Sequence, residues 1–172
     1  MEIIDVYDRH RNKVRTAERR DKLGENEYRL VVHICAFNSK GELLIQKRLS
    51  FKHGWPGLWD LTTGGAASTG ETSAEAAARE LKEELGIEYD FGNMRPVVSV
   101  SFASGFDDYY IIEKEIDPDE LQLQYEEVEK AEWASEEKVL SMIDDGVFIP
   151  YHKGFIEMLF DMRKNFGTII IH

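Results

Sequence analysis

GGAASTGETSAEAAARELKEELGI, Gly64 to Ile87, couples a glycine-rich lead-in to one short helix that carries Glu80, Glu83 and Glu84 on little more than one turn. Thr72 with Glu75 three residues on has the form of a capping box, and Gly86 stands where a left-handed residue closes a helix. Between these ends Ala74, Ala77, Ala78, Leu81 and Leu85 recur at helical spacing and make one apolar stripe. The small alanines on it suit close packing against a sheet. At helical periodicity Glu84 flanks the stripe, with Glu80 and then Glu83 further round the same side, while Arg79 and Glu75 take the other flank. Like charges at i, i+3 and i+4 cost an isolated helix about 0.2–0.5 kcal/mol per pair. Either water screens them on an idle face or a cation is meant to sit among them.

Working outward, the upstream chain reads as strands. EIIDVYD and NKVRTAE flank the polar DRHRN as an N-terminal hairpin, and AERRDKLGENEY follows as a polar segment of a helical turn or two. RLVVHICAFN, rich in β-branched and apolar residues, is a buried strand that turns through NSKG into a partner strand, ELLIQKRLS. FKHGWPGLWDLTTGGAASTGE is glycine-rich and aromatic, too irregular for one element. Downstream, MRPVVSVSF and DDYYIIEKEI are strands separated by ASGFD, DPDELQLQYEEV is an acidic loop, and EKAEWAS is a short strand. SEEKVLSMIDDG and PYHKGFIEMLFDMRKNFG are amphipathic helices, the second with Pro150 near its start and Gly167 past its end. Strands on both sides of a central helix, with two helices late, describe a mixed α/β layered domain. Residues 1–172 are read as one domain, with residues 1–28 as an N-terminal extension.

Bulk properties narrow the function. A net charge of −12 argues against a broad nucleic-acid or anionic-membrane surface, although a bound divalent cation would let an acidic chain take a phosphorylated small substrate. One cysteine excludes an intrachain disulfide and fits a reducing compartment. MEIIDVYDRHRNK lacks the basic start and apolar run of a signal peptide, and no apolar stretch approaches the ~20 residues of a membrane span. A cytoplasmic protein is expected.

Written as a pattern, the opening stretch is Gly65, five residues, Glu71, seven residues, then Arg79-Glu80-Leu81-Lys82-Glu83-Glu84-Leu85-Gly86-Ile87. It resembles the Nudix box, G-x5-E-x7-R-E-U-x-E-E-x-G-U with U aliphatic, at every fixed position. The resemblance implies a Nudix-type α/β/α sandwich with a mixed central sheet, here with an added N-terminal β-hairpin. It implies metal-dependent hydrolysis of a diphosphate linkage in a nucleoside di- or triphosphate or a nucleoside-diphosphate-X substrate, with Mg²⁺ or Mn²⁺ as cofactor. Glu80, Glu83 and Glu84 would bind the metal, with the Gly64 carbonyl completing the set; hard divalent cations take such oxygen ligands. Arg79 would hold a neighbouring glutamate in place, and Glu71 would orient or anchor the loop. The general base in this family is a box glutamate or an acid from a distal loop. Glu126 and Glu127 stand ahead of a strand at about the position where related enzymes place another functional glutamate, and Glu127 is preferred. The catalytic set is thus Glu83, Glu84, Arg79 and Glu127.

The upstream segment NSKGELLIQKRLSFKHGWPGLWDLTTGGAASTGE is similar to the type I isopentenyl diphosphate isomerase branch of the superfamily, through Asn38-x-x-Gly41, Lys47-Arg48, Lys52 and Pro56-Gly57-x-Trp59. That similarity makes Arg48 and Lys52 candidate phosphate binders. The isomerase needs a catalytic cysteine before the box, where this chain has Leu61-Thr62-Thr63-Gly64-Gly65, and it also needs metal-binding histidines. Cys35 lies within an apolar strand and reads as a small core residue, His33 as a buried, satisfied histidine, and Trp59 as core. Trp55 and Trp59 are the aromatics that could stack a base. Hydrolysis is therefore favoured over isomerisation, with a non-catalytic diphosphate-binding module as a third reading. The N-terminal hairpin and the C-terminal helices are candidate surfaces for a homodimer.

Overall fold

The computed structural model describes residues 2–51 and 54–170. Strands β1 (Ile3–Tyr7) and β2 (Lys13–Glu18) form the N-terminal hairpin. The remaining strands are β3 (Arg29–Phe37), β4 (Leu43–Arg48), β5 (Trp59–Asp60), β6 (Thr63–Ala66), β7 (Val98–Phe102), β8 (Gly105–Glu113) and β9 (Val128–Ala134). Helix α1 spans Ser73–Leu85, α2 Glu136–Asp144 and α3 Lys153–Met162. The main sheet runs β5-β4-β3-β8-β7, with β6 also pairing β3 and β9 also pairing β4. It is mixed because β3 and β8 are parallel along their whole length, from Arg29 opposite Gly105 to Phe37 opposite Glu113, while the other pairs are antiparallel.

The apolar run of β3 explains the layering. Its side chains alternate between faces: Val32, Ile34 and Ala36 join α1 in one core cluster, whereas Cys35 and Phe37 join α2 and α3 in the other. Both faces are covered by helices, which gives the expected α/β/α sandwich. No helix among the described residues is long and apolar enough to cross a membrane.

β3 and β4 meet only at Phe37 opposite Leu43 and then part. β6 takes the vacated edge of β3 from Val31 to Ile34, and β9 lies along the length of β4. A fork of this kind would strand buried peptide groups. Thr62, fully buried, closes it: its hydroxyl accepts from the Ala36 N–H at 2.9 Å and donates to the Leu44 carbonyl at 2.6 Å.

Several elements depart from the sequence reading. The irregular stretch after β4 contains two short strands, β5 and β6, stabilised by pairing with β4 and β3. Residues 19–28 form turns rather than a helical segment, tied by Arg29 to the carbonyls of Arg19 and Asp21. β8 begins at Gly105, inside the expected loop, because a Cβ there would stand 2.4 Å from the Arg29 carbonyl, a contact only glycine avoids. α3 ends at Met162, where Arg163 turns its guanidinium back onto the Phe160 carbonyl.

The hairpin is fastened to the body at two places. Asp5 accepts from the Thr69 hydroxyl at 2.5 Å and the Gly70 N–H at 3.0 Å, so β1 is stitched to the loop before α1. At the hairpin tip, Arg11 grips Asp108 of β8 with two bonds, at 3.0 and 2.6 Å, and Ser73 and Ser99 donate to the same carboxylate. Burial pushes the Asp108 carboxyl up, but the hydrogen bonds from Arg11, Ser99 and Ser73 outweigh it and hold the group below the usual carboxylate range. The sign follows. A depressed folded-state pKa contributes stability that is present above the unfolded value and lost as pH falls through the folded one. Arg11→Ala should therefore lower unfolding free energy at neutral pH by about 2 kcal/mol and remove part of the steep loss of stability below about pH 4. Urea denaturation across pH checks both.

Candidate metal and phosphate site

Helix α1 begins and ends as its sequence predicts. The Thr72 hydroxyl accepts from the Glu75 N–H at 3.2 Å, the Glu75 carboxylate accepts from the Thr72 N–H at 2.8 Å, and Gly86 closes the helix at φ 70°. The buried face is rotated from the expected stripe. Ala76, Ala77, Glu80, Leu81, Glu84 and Leu85 are buried, while Ala74 and Ala78 are only partly covered. Two of the three acids thus belong to the buried edge, each 6% exposed.

The glycines of β6 make that possible. A Cβ on Gly65 would stand 2.3 Å from a Glu80 carboxylate oxygen, so the missing side chain is the space that Glu80 fills. A Cβ on Gly64 would stand 2.8 Å from both the Val32 carbonyl and the His33 ring. Glu84 accepts from Gln46 Nε2 at 2.9 Å and from the Thr63 hydroxyl, in a short contact. Burial raises the Glu80 pKa to about 7, with Arg79 opposing the shift and the neighbouring Glu84 adding to it.

Arg79 organises the cluster. Its Nε and one terminal nitrogen form a fork on Glu71 at 2.7 and 3.0 Å; its other terminal nitrogen bonds Glu80 at 2.9 Å and Glu83 at 3.0 Å; a fifth bond reaches the Ala66 carbonyl at 3.1 Å. Glu71 also accepts from the Ser68 N–H at 2.8 Å, which anchors the loop before the helix. Among the described residues no three acids, histidines or cysteines are drawn around one point. The arginine stands between Glu80 and Glu83, and Glu83 remains about half exposed. The donor set still suits a hard divalent cation: carboxylate oxygens in negative excess, two of them buried beside a strand carbonyl.

A cavity of about 280 Å³ brings the expected residues together: Gly64, Arg79, Glu80, Glu83, Glu84, Arg48 and Glu127 all line it. The Leu49 N–H donates to the Glu127 carbonyl at 3.3 Å, which fixes the acid-bearing loop at the end of β4 next to Arg48. Arg48 donates to the Gly54 carbonyl at 3.0 Å. Lys52 lies outside the described residues. Trp59 is core, as expected, whereas Trp55 is exposed and has φ 51°. His33 is only partly buried, with Nε2 3.1 Å from Asp107. Cys35 is fully buried, and burial pushes its thiol well above the usual range.

Sequence reasoning missed Arg19. Within AERRDK it reads as a solvated base, yet it lines the same cavity, held by an ion pair to Glu2 at 2.8 Å and a backbone bond to the Glu2 carbonyl. Gln46 and Thr63, which fix Glu84, were missed as well. Strand alternation could have placed Thr63, but nothing in the sequence connects Arg19 to the helix.

The model of the NUDIX domain family matches residues 27–153. The chain belongs to the Nudix hydrolases. It is 46% identical over 170 residues to an uncharacterized Nudix hydrolase of Listeria innocua, covering 98% of this chain and 99% of that one. A solved structure from Deinococcus radiodurans superposes with a TM-score of 0.74 at 27% identity, covering 92% of this chain and 97% of the other. An isopentenyl-diphosphate Delta-isomerase of Escherichia coli is 34% identical over 120 residues, covering 63% of this chain and 62% of that one, which matches the upstream similarity. Nudix enzymes generally use divalent metal ions.

The glycine cradle can be tested directly. Gly65→Ala should lower unfolding free energy by about 1–3 kcal/mol, since neither the helix nor the strand can withdraw freely. Thermal and urea melts would show it; an unchanged melt would mean that Glu80 moves aside without cost.

Proposed function

We propose that this Nudix hydrolase cleaves a diphosphate linkage in a nucleoside di- or triphosphate or a related nucleoside-diphosphate-X compound, with Mg²⁺ or Mn²⁺ held by Glu80, Glu83, Glu84 and the Gly64 carbonyl. One observation carries the reading: a single cavity is lined by the carboxylates of α1 together with Arg48, Arg19 and Glu127. When bound, the ion would polarise the phosphorus and help activate water. The protein's own part is positional. Arg48 and Arg19 bind phosphate oxygens through charge-assisted hydrogen bonds. Arg79 keeps Glu80 and Glu83 aligned, and a lysine could not satisfy Glu71, Glu80, Glu83 and Ala66 together. Glu127 accepts the proton of the attacking water. The burial of Cys35 in β3 supports hydrolysis over isomerisation, because no other thiol exists to move a proton at a double bond. A reducing compartment such as the cytoplasm suits this buried, unpaired thiol.

Glu83→Gln should reduce kcat/KM by about 10²–10³-fold with an unchanged melting temperature, since Glu83 is half exposed. Phosphate release from a metal-supplemented panel of nucleotides and isoprenoid diphosphates is the assay, and full activity would remove the helix from the mechanism. EDTA should abolish turnover and excess Mg²⁺ or Mn²⁺ restore it. Arg19→Ala and Arg48→Ala should each raise KM about tenfold, the loss of one charge-assisted contact.

A further inference from the structure

Arg48 belongs to two cavities. It lines the one that carries the acids of α1 and an adjoining one of about 390 Å³, whose wall includes Asp60 and Tyr151. Among the described residues, Asp60 and Tyr151 line the second cavity and not the first. Resting on the reading that Arg48 binds a phosphate oxygen, we propose that Asp60 and Tyr151 are positioning residues, which hold the Arg48 guanidinium in its phosphate-binding pose and act on the substrate only through it.

The line of contacts starts in the loop before α3. Tyr151 donates its N–H to the Ile149 carbonyl at 2.7 Å, and its ring stands against Phe148 and Phe155. Its hydroxyl donates to Asp60 at 2.9 Å, onto the same oxygen that accepts the Leu61 N–H at 2.8 Å. Burial, with the Asp60 charge adding to it, pushes the Tyr151 hydroxyl well above its ordinary pKa, so it keeps its proton as a donor. β5, which bears Asp60, is itself gripped from both sides. It pairs with β4 at Gln46 and Lys47, and Trp59 exchanges backbone bonds with Val147 and Ile149, each at 2.9 Å. One Asp60 oxygen is thus committed to two donors on a fixed strand, and the other faces an Arg48 terminal nitrogen at 3.7 Å, with both side chains largely buried.

Arg48 is held at a second point, because its Nε donates to the Gly54 carbonyl at 3.0 Å. A guanidinium is a rigid plane of five N–H donors. Fixing it at Nε and one terminal nitrogen leaves the other terminal nitrogen, which holds no hydrogen bond among the described residues, for a phosphate oxygen. A free arginine would surrender rotamer freedom on gripping phosphate; one held in advance has little left to lose. The carboxylate also offsets part of the arginine's charge, which would weaken the grip. Positioning prevails because Asp60 stands outside the phosphate cavity, with the guanidinium between them.

Binding of methylenediphosphonate, a non-hydrolysable diphosphate, to the Mg²⁺-loaded protein tests this by calorimetry. Asp60→Asn keeps an acceptor for Leu61 and Tyr151 but removes the charge facing Arg48. It should weaken binding about fivefold, the cost of ordering one long side chain on binding. Tyr151→Phe, which leaves the charge and frees the carboxylate, should weaken it about twofold. In an Arg48→Ala background both effects should vanish, a coupling that a merely structural role would not produce. For any substrate hydrolysed, KM should rise by the same factors with kcat nearly unchanged. Unchanged or tighter binding in Asp60→Asn, or a loss that persists undiminished in the Arg48→Ala background, would overturn the proposal. Unchanged affinity in Arg48→Ala alone would instead remove the phosphate-binding reading of Arg48, and the proposal with it.

Discussion

Everything at the site depends on five hydrogen bonds from one guanidinium. Arg79 spans Glu71 in the loop, Glu80 and Glu83 on the helix, and the Ala66 carbonyl at the end of β6. Without a cation among them the acids of α1 repel, and burial alone would favour protonating Glu80. The arginine opposes that shift and holds the acids close, and it also locks loop, helix and strand into one unit. Its planar fork fits Glu71 edge to edge while the other nitrogen is left for the helix, a division of labour that an ammonium group cannot perform.

Backbone constraints complete what the arginine begins. Gly64 and Gly65 lie side by side in β6, one beneath the His33 ring and the other beneath the Glu80 carboxylate. Gly64 lines two adjoining cavities, one bearing the helix carboxylates and the other His33, Tyr109 and Trp55, and Arg19 and Arg48 line both. The N-terminal hairpin is bound into this arrangement. Asp5 ties it to the loop before α1, and Arg11 ties it to β8. Arg19, just past its second strand, reaches the cavity as a consequence of both attachments.

The helix was legible because its information is local. A capping box, a closing glycine and acids at helical spacing all lie within 24 residues, and each has one structural meaning. The long strands were legible for the same reason. What stayed hidden depends on pairing across the chain: β5 and β6 exist only because β4 and β3 offer edges, and Gly105 opens a strand only because the Arg29 carbonyl passes close by. The apolar stripe of α1 was misplaced in part because hydrophobicity does not announce that Glu80 and Glu84 are buried; a partner strand of glycines does. Arg19 shows the limit most plainly, since its role comes entirely from where the hairpin docks.

The parting of β3 from β4 gives the molecule the form of a wedge. One limb carries β6 and the acidic helix; the other carries Arg48 at its far end, with Glu127 on the adjoining chain. Both limbs meet at the Thr62 hydroxyl, which bridges Ala36 and Leu44. The spacing of the jaws is therefore set at two buried points: the Thr62 hydroxyl at the apex and, further out, the Gln46 amide of β4 donating to Glu84 of the helix at 2.9 Å.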